Sequence, residues 1–570
     1  MTDDEILPSP LDRHFAALLL RLNGAPDADL AHAVETVSAW HGAGHTCVPG
    51  EALGGERVLA KLRASSVVGA PGEFRPLILD AAGRVYLQRY WRYEAELAAS
   101  IRARLTDAEH DAKRLAAGLK RLFPQAAKDD LQRAAAETAV RKRFAVITGG
   151  PGTGKTFTAA RVLALLAEQF TALGKTPRIA LAAPTGKAAA RLQESIAKAL
   201  GAMPASEALL QLAASEARTL HRLLGTVPDS PQFRHDRNRP LEVDAVIVDE
   251  ASMVDVALMA KLFDAVPPGA RVILLGDKDQ LASVEAGNVL GDICGAGAAA
   301  RTAPLAARTA PLAAHIVELQ AARRFEGDSG IRELSVRVNA GDSESALAIL
   351  RDGKFSDVRG AATPAARALE GALAPAVIEG CRGFLECTNP AEALGKLNGF
   401  RILAATRRGP HGVENLNALA ERILASAGLI EPVSAHYHGR PVLIGTNDYQ
   451  LRLFNGDVGL ILRDPESGGE LRAFFIDATG ALRRVLPARL PLHETSFAMT
   501  VHKSQGSEFG QVLLVLPDRD SPVATRELLY TGITRARTAV EVWADDAVLR
   551  LALARRTARA SGLREALWGA

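Results

Sequence analysis

The 570-residue chain has few cysteines, few aromatic residues and almost no net charge. Its four cysteines, Cys47, Cys294, Cys381 and Cys387, are widely scattered, and none are spaced C-x-x-C. This argues against a disulfide framework, a zinc ribbon or an iron–sulfur site built from this chain. Lysine and arginine number 68 against 65 aspartates and glutamates, so a strongly basic nucleic-acid coat is not expected, whereas a local basic groove is compatible with this balance.

Long hydrophobic runs are also missing. No apolar run approaches the ~18 residues of a membrane span, and the N-terminal MTDDEILPSP is acidic and lacks the apolar core of a signal peptide. Apolar residues nevertheless make up 48% of the chain and charged residues an ordinary 23%. We therefore expect a folded cytoplasmic protein of about three to four domains, without a membrane partner.

Short apolar runs that alternate with helical stretches predict two α/β cores. Fully apolar strands are typical of parallel sheets covered by helices on both faces. The first series is FAVIT (144–148), RIALAAP (178–184), VDAVIVDE (243–250) and RVILLGD (271–277), and the second is FRILAAT (400–406), QVLLVLP (511–517) and AVEVWA (539–544).

The remaining regions differ in texture. Residues 1–115 are expected to be mostly helical, since Phe15, Leu18, Leu19 and Leu22 recur at helical spacing. Residues 433–492 carry Gly, Asn and Asp turns between short alternating runs, which predicts a small β-barrel inserted into the second core. An identical tandem heptad, RTAPLAA at 301–307 and 308–314, indicates a duplication in a surface loop.

An aromatic cluster, Tyr90, Trp91 and Tyr93, stands out in a chain with 5% aromatic residues. Core packing at a helix start is one interpretation. The alternative is a docking surface for a partner, because aromatic residues and arginine are favoured at the centres of interfaces.

The glycine-rich run Gly149-Gly-Pro-Gly-Thr-Gly-Lys-Thr156 follows an apolar strand and opens a helix. It matches the G-x-x-x-x-G-K-T phosphate loop, whose backbone N–H groups and helix N-terminus surround phosphate. We expect ATP here, with Lys155 at the β- and γ-phosphates and Thr156 on Mg²⁺. Gln132 either reads the adenine edge or is a helix-surface residue. The predicted nucleotide-binding residues are Gln132, Gly149, Gly150, Pro151, Gly152, Thr153, Gly154, Lys155 and Thr156.

Polar side chains follow two further strands of the first core. Asp249 and Glu250 end VDAVIVDE. Asp249 fits a second Mg²⁺ partner, and Glu250 fits the general base for the attacking water. The alternative is that both carboxylates only cap the strand end. Gln280, in GDKDQL after the next strand, is expected near the γ-phosphate, where it reports the nucleotide state.

The second core supplies candidate arginine fingers. If the two cores face each other across a cleft, Arg324 in ARRF and Arg535 in YTGITRAR reach the γ-phosphate and stabilise the transition state. Their neighbours Arg323 and Arg537 are the alternatives. Hydrolysis would then open the cleft and convert chemistry into movement.

Short polar groups at strand C-ends are suited to single-stranded DNA. Ligands bind at this edge of an α/β sheet, where hydroxyls and backbone amides can hold phosphates without reading bases. The candidates are Pro184, Thr185, Gly186, Lys187, Thr219, His221, Thr500, His502, Ser504 and Gln505.

The ordered motifs resemble those of a superfamily-one helicase of the 5′→3′ branch and, within it, the RecD family, the exodeoxyribonuclease V alpha subunit. The resemblance covers residues 130–545, and LDRHFA and RVYLQRYWRYE extend it into the N-terminal region. The motifs are GGPGTGKT, APTGKAAARL, ARTLHRLLG, VDE, GDKDQL, RRF, FNGDVG, VHKSQGSEF and YTGITRAR.

This resemblance implies two RecA-like motor domains, residues 116–300 and residues 301–432 with 493–570. It also implies an SH3-like barrel at 433–492, a hairpin at about 226–244 beside the DNA, and partner binding by residues 1–115. The implied ATPase set is Lys155, Thr156, Asp249, Glu250, Gln280, Arg324 and Arg535, and the implied DNA path includes Thr185, Thr219, His221, His502 and Ser504.

The implied function is that of an ATP-dependent 5′→3′ DNA helicase subunit, which works beside RecB- and RecC-type subunits in double-strand-break repair and recombination. No nuclease constellation is found in this chain. Three alternatives stay open: a non-motor structural subunit that binds ATP, a stand-alone RecD-like helicase, and an ATPase or GTPase that acts on proteins or small molecules.

Overall fold

The computed structural model describes residues 6–124, 130–201, 203, 216–295, 310–320, 329–448, 450–477 and 480–569, and these contain four β-sheets. Arg323, Arg324 and most of the tandem heptad lie outside these ranges. Within them, no helix has the length and apolar character that crossing a membrane requires.

The N-terminal region combines helices with a four-stranded mixed sheet, which the expectation of a mostly helical segment left out. Its strands are only two to four residues long, too short for an alternating pattern to show in the sequence. In spatial order they are Cys47–Pro49, Arg84–Leu87, Leu77–Leu79 and Val68–Gly69. The helices are Pro10–Asn23, Ala28–Gly42, Glu56–Ala64, Gln88–Ala103 and Ala112–Leu122.

The first helix follows the predicted periodicity but is only partly covered. It begins at a capping box formed by Ser9 and Asp12. Leu19 is buried, whereas Leu18 and Leu22 are 43% and 60% exposed. The apolar residues of this helix are therefore divided between the core and the solvent.

The aromatic cluster packs inside the molecule. Tyr90 and Tyr93 are buried, with ring centroids 5.8 Å apart, and share a hydrophobic cluster with Val256 and Met259 of the first α/β core. Trp91 is half-buried. Of the two alternatives, core packing holds for both tyrosines.

The first α/β core is a six-stranded sheet in which all neighbouring strands run parallel. The four strands predicted from the sequence form its centre. In spatial order the strands are Ile316–Leu319, Phe144–Gly149, Arg271–Gly276, Ala245–Val248, Ile179–Ala183 and Arg218–Thr219. The helices are Leu131–Arg141, Lys155–Ala172, Gly186–Gly201, Leu220–Leu224, Val256–Ala265 and Val289–Cys294.

The predicted border between the two cores, at residues 300 and 301, lies too early in the chain. The strand Ile316–Leu319 pairs with Phe144–Gly149 in the first sheet, so the first core extends at least to residue 319. This four-residue edge strand follows an alanine-rich repeat and carries no clear strand pattern. The next helix in the described part of the chain, Gly330–Ala340, contributes to the hydrophobic cluster of the second core.

The second α/β core is a five-stranded sheet, also with parallel neighbours throughout. In spatial order its strands are Val358–Ala361, Ala536–Trp543, Phe509–Val515, Phe400–Ala404 and Ala498–Thr500. Its helices, with those of the C-terminal end, are Gly330–Ala340, Ser343–Arg351, Leu369–Leu385, Pro390–Leu397, Val413–Ser426, Arg526–Ile533, Asp546–Ala554 and Leu563–Trp568.

An antiparallel five-stranded sheet interrupts the second core. The predicted span of 433–492 ends too early, because His493–Thr495 pairs with Arg440–Ile444. The two outer strands do not pair with each other in the described part of the chain, so this sheet is open. Its order is Leu482–Val485, Leu471–Ile476, Val458–Arg463, Arg440–Ile444 and His493–Thr495.

Candidate functional site

A cavity of about 250 Å³ lies between the two α/β cores. The first core contributes Lys155, Glu250 and Gln280 to its lining, and the second contributes Arg535. The structure therefore brings the glycine-rich loop, the strand-end carboxylates and one candidate arginine finger to a single place.

The glycine-rich loop holds its lysine in the centre. Lys155 Nζ donates to the carbonyl oxygens of Gly149 and Gly150, at 2.5 and 3.1 Å. Gly154 has a φ of +88°, a conformation that favours glycine, and the following helix begins at Lys155. The ammonium group and the helix N-terminus therefore lie together, as phosphate binding requires.

Gln132 is attached to this loop. Its Nε2 donates to the carbonyl of Thr153 at 2.8 Å, and a Cβ on Gly154 would overlap its amide. The side chain is 6% exposed, which excludes the helix-surface interpretation. Its Oε1 is buried and has no hydrogen-bond partner among the described residues. Its contact with adenine stays a prediction.

The two carboxylates follow the strand Ala245–Val248. Asp249 Oδ1 accepts a hydrogen bond from the backbone N–H of Glu250 at 2.9 Å, and Glu250 itself has a φ of +50°. A non-glycine residue in this region is strained, a feature that concentrates at functional sites. Burial and the neighbouring charge of Glu250 raise the pKa of Asp249 to about 6.

Thr156 and Asp249 line the same cavity and fit Mg²⁺. Hydroxyl and carboxylate oxygens are the hard donors that this ion prefers. Asp249 is buried beside the second carboxylate, Glu250, and a divalent cation bound there would offset both negative charges.

Gln280 is also buried, at 6% exposure. Its Nε2 donates to Asp277 Oδ2 at 3.0 Å, while its Oε1 has no hydrogen-bond partner in the described part of the chain. Because Asp277 can only accept, it fixes which end of the amide faces it. The free end of Gln280 is therefore an acceptor.

Arg535 is the arginine of YTGITRAR that reaches the cavity. It is 3% exposed, and its guanidinium donates to the carbonyls of Thr531 and Ser507 at 3.1 and 3.2 Å. Burial lowers its pKa, while the charges of Glu250 and Glu508 oppose that shift. The alternative, Arg537, is exposed to solvent. The choice between Arg323 and Arg324 stays a prediction.

Two charged residues of the cavity lining, Arg191 and Glu508, are not among the residues predicted from the sequence. Arg191 Nη2 and Glu508 Oε2 form an ion pair at 2.5 Å across the cleft, and Arg191 also donates to the carbonyl of Gly506. Arg191 lies four residues after Lys187, so both project from one face of the same helix. The spacing of Lys187 and Arg191 can be read from APTGKAAARL, but the pairing of Arg191 with Glu508 in the other core cannot.

Several DNA-contact candidates already act as caps. The hydroxyls of Thr185, Thr219 and Thr500 each accept a backbone N–H three residues later, all at 3.2 Å. Thr219 and Thr500 end strands, and Thr185 lies two residues beyond one. Because they follow strands, these loops lie at the expected sheet edge, and DNA contact by their side chains stays a prediction.

Ser504 and Gln505 are engaged within the protein. The Ser504 hydroxyl is fully buried and donates to the carbonyl of Val501 at 2.7 Å. Gln505 Nε2 donates to the carbonyl of Leu281 in the first core at 2.9 Å. In this structure neither side chain faces an open groove, so Gln505 contributes to contact between the cores instead.

The other candidates lie nearer the surface. Pro184 and Gly186 are half-buried, and a Cβ on Gly186 would lie 3.2 Å from Phe454. His502 is half-buried, and burial, together with the nearby charge of Arg559, lowers its pKa. Burial, followed by the charge of Arg401, lowers the pKa of Lys187 to about 8.

The expected hairpin at about 226–244 is less regular than predicted. In that segment the structure has two isolated antiparallel bridges, Thr226 with Phe233 and Asp236 with Arg239, and no extended strand pair. The ring of His221 lies 5.7 Å from that of Phe233. The segment is therefore held against one of the DNA-contact candidates.

Comparison with known proteins identifies the family. An AAA domain model matches residues 132–286, and a UvrD-like helicase C-terminal domain model matches residues 495–542. The RecBCD enzyme subunit RecD of Mycobacterium tuberculosis (strain H37Rv) is 42% identical over 576 residues, covering 97% of this chain and 94% of that protein. The chain belongs to the RecD family.

Two further relatives match this RecD-family chain over different shares of their own lengths. The RecBCD enzyme subunit RecD of Haemophilus influenzae is 35% identical and matches over 84% of this chain and 80% of its own. The ATP-dependent RecD2 DNA helicase of Deinococcus radiodurans is 32% identical over 80% of this chain but only 54% of its own length. The chain thus spans most of the length of the two RecD subunits and about half of the length of the RecD2 helicase.

Proposed function

We propose that this chain is the ATP-dependent 5′→3′ DNA helicase and translocase subunit of a RecBCD-type exonuclease V complex, acting in double-strand-break repair and recombination in the cytoplasm. One observation carries the proposal: a single cavity joins Lys155 and Glu250 of the first core to Arg535 of the second. A nucleotide bound there contacts both cores, so its hydrolysis can change their relative position. The names of the RecD and RecD2 relatives supply the DNA substrate and the complex.

In the proposed reaction, water attacks the γ-phosphorus of ATP, and the bond to the bridging oxygen breaks to release ADP. Glu250 accepts the proton of that water. Lys155 and Arg535 neutralise negative charge on the phosphate oxygens from the two sides of the cleft. Mg²⁺ held by Thr156 and Asp249 would supply further positive charge at the β- and γ-phosphates.

Single-stranded DNA is assigned to the C-terminal edge of both parallel sheets. The loops around Thr185 and Thr219 follow strands of the first sheet, and the loop around Thr500 follows a strand of the second. Their positions support a path shared by the two cores. Contacts to phosphates from hydroxyls, amides and Lys187 would not depend on base sequence. The 5′→3′ direction rests on the family resemblance. The antiparallel sheet beside this path is assigned to an SH3-like barrel.

The N-terminal region is assigned to contact with RecB- and RecC-type subunits. Leu11, Leu18 and Leu22 are spaced to form one stripe on the first helix and are 75%, 43% and 60% exposed. An apolar stripe of this kind favours a protein interface. The cutting activity of such a complex is assigned to another subunit.

The central test measures ATP hydrolysis by the chain, alone and with its partner subunits, with and without single-stranded DNA. The proposal expects DNA to accelerate hydrolysis, and strand displacement on 5′-tailed duplexes to exceed that on 3′-tailed duplexes. Equal ATP turnover with and without DNA would contradict the motor function and favour an ATPase or GTPase for other substrates. Unwinding by the isolated chain would favour a stand-alone helicase.

The scaffold alternative is tested by Lys155→Gln. The motor proposal expects a complex that assembles normally but has lost the unwinding contributed by this chain. Lys396→Gln is the matched control, because Lys396 is exposed on the helix Pro390–Leu397, away from the cavity. Normal unwinding by the assembled Lys155→Gln complex would favour a structural role for the nucleotide.

A further inference from the structure

A buried carboxylate in the first core is shared between the two cores. Asp277 is 1% exposed and follows the strand Arg271–Gly276. Its Oδ2 accepts two hydrogen bonds, one from Gln280 Nε2 at 3.0 Å and one from Tyr530 Oη at 2.9 Å. Tyr530 belongs to the helix Arg526–Ile533 of the second core. A single oxygen therefore connects a cavity-lining glutamine to the opposite core.

The Tyr530 hydroxyl lies against the glycine-rich loop as well. A Cβ on Gly150 would lie 2.8 Å from Tyr530 Oη. Tyr530 is 4% exposed, and burial together with the charge of Asp277 raises its pKa, so the phenol stays protonated and can donate. The hydroxyl thus meets Asp277 and the edge of the phosphate loop at the same point.

The neighbouring residue reinforces the same contact. Thr531 Oγ1 accepts the backbone N–H of Leu281 at 2.9 Å, and the Leu281 side chain packs in the hydrophobic cluster of the second core. The carbonyl of Thr531 accepts from Arg535 Nε at 3.1 Å. One turn of the second core therefore holds both the loop that carries Gln280 and the candidate arginine finger.

We propose that Tyr530 is a positioning residue for ATP hydrolysis, which acts through Asp277 to hold the Gln280 Oε1 as an acceptor for the attacking water. The inference rests on the proposed function. Since Asp277 binds one N–H of Gln280, the amide oxygen faces away from Asp277 and has no partner among the described residues. An oxygen acceptor suits a water hydrogen rather than a phosphate oxygen. Gln280 is then aligned only while the second core, with Tyr530, is docked against the first.

Tyr530→Phe removes the hydroxyl and keeps the ring. In the complex with partner subunits and saturating single-stranded DNA, we expect kcat for ATP to fall about tenfold and KM to change less than about twofold, because the lost contact aligns the water and does not bind ATP. Tyr437→Phe is the matched control, since Tyr437 is equally buried and donates to Glu421 Oε1 at 2.6 Å outside the cavity lining. It should leave kcat unchanged.

A double-mutant cycle separates positioning from a general structural effect. If Tyr530 acts through Gln280, then adding Tyr530→Phe to Gln280→Ala causes no further loss of kcat. A kcat in the double variant that falls by the product of the two single-variant losses would overturn the inference, as would an unchanged kcat in Tyr530→Phe. Should that variant melt at a much lower temperature than the wild type, Asp277→Asn replaces it, with the same expected loss and the same contradicting outcome. Failure of the wild type to show DNA-stimulated hydrolysis would instead contradict the proposed function itself.

Discussion

Two buried polar regions of this molecule differ in how fully their hydrogen-bonding atoms are paired within the chain. Glu94, in the helix Gln88–Ala103, lies where the C-terminal end of the chain meets the N-terminal region. Its carboxylate accepts from the hydroxyls of Thr46 and Ser561, at 2.6 and 2.8 Å, and from the backbone N–H of Gly562 at 2.9 Å. Both oxygens of this buried group therefore have partners within the chain.

By comparison, two buried amide oxygens at the cleft between the cores and its phosphate loop lack hydrogen-bond partners in the described chain. Gln132 and Gln280 each use their amide nitrogen in the chain, at 2.8 and 3.0 Å, while each Oε1 is buried without a hydrogen-bond partner among the described residues. A buried polar atom without a partner destabilises the fold. Asp292 Oδ2 is also buried without a partner among the described residues, so this feature alone does not identify a site. In the cleft, however, a bound ligand would complete the two oxygens, because Gln280 lines the cavity and Gln132 contacts the phosphate loop. We therefore expect the cleft to be functional and the Glu94 carboxylate to be structural.

The largest expected effect is on the cleft. Arg535→Lys keeps the positive charge but loses the planar fork, so we expect kcat for DNA-stimulated ATP hydrolysis to fall about a thousandfold. The measurement is steady-state hydrolysis, and Arg537→Lys is the control because Arg537 is exposed in the same motif. A comparable loss in both variants would remove the distinction between the two arginines.

A smaller effect, on stability rather than catalysis, is expected at Glu94, whose carboxylate oxygens are both hydrogen-bonded. In Glu94→Gln, an NH₂ group replaces one acceptor oxygen. A hydroxyl can rotate to accept from this NH₂, but the backbone N–H of Gly562 cannot, so at least one of the three present hydrogen bonds to the side chain is lost. We expect the free energy of unfolding to fall by about 1–3 kcal/mol, with KM for ATP unchanged. Urea unfolding and ATP titration measure the two quantities. A raised KM with unchanged stability would contradict the division between structural and functional regions.

The smallest effect concerns the DNA edge and its pH dependence. The pKa of Lys187 is lowered to about 8, so the ammonium is charged below that pH and neutral above it. DNA phosphate binds the charged form, so affinity for single-stranded DNA should fall a fewfold as pH rises through and beyond 8. Fluorescence anisotropy at constant ionic strength measures this, since salt alone shifts such affinities.

Two variants make that pH experiment decisive. Lys187→Met should bind more weakly at neutral pH and should lose the fall in affinity above pH 8. Lys175→Met changes an exposed lysine beyond the helix Lys155–Ala172 and should retain the fall. A Lys187→Met profile that still follows the wild type would remove Lys187 from the DNA path.

Local patterns were sufficient for the central strands and the phosphate loop. The runs that became Phe144–Gly149 and Arg271–Gly276 are fully buried and continuous, so their composition alone predicts buried parallel strands. The short edge strands Ile316–Leu319 and Val358–Ala361 lack such a signal. Because Ile316–Leu319 belongs to the first sheet, the predicted border between the cores at residues 300 and 301 was wrong. Likewise, the N-terminal sheet escaped prediction because its strands have at most four residues.

The sequence by itself determined the phosphate loop, the strand-end carboxylates and the alternation of strands and helices, because each depends on residues close together in the chain. Only the tertiary structure decided that Tyr90 is a core residue, that Gln505 joins the two cores, and that Tyr530 meets Asp277. Those contacts depend on how separate elements pack. Packing brings together residues that are far apart in sequence, and no local pattern records their distance.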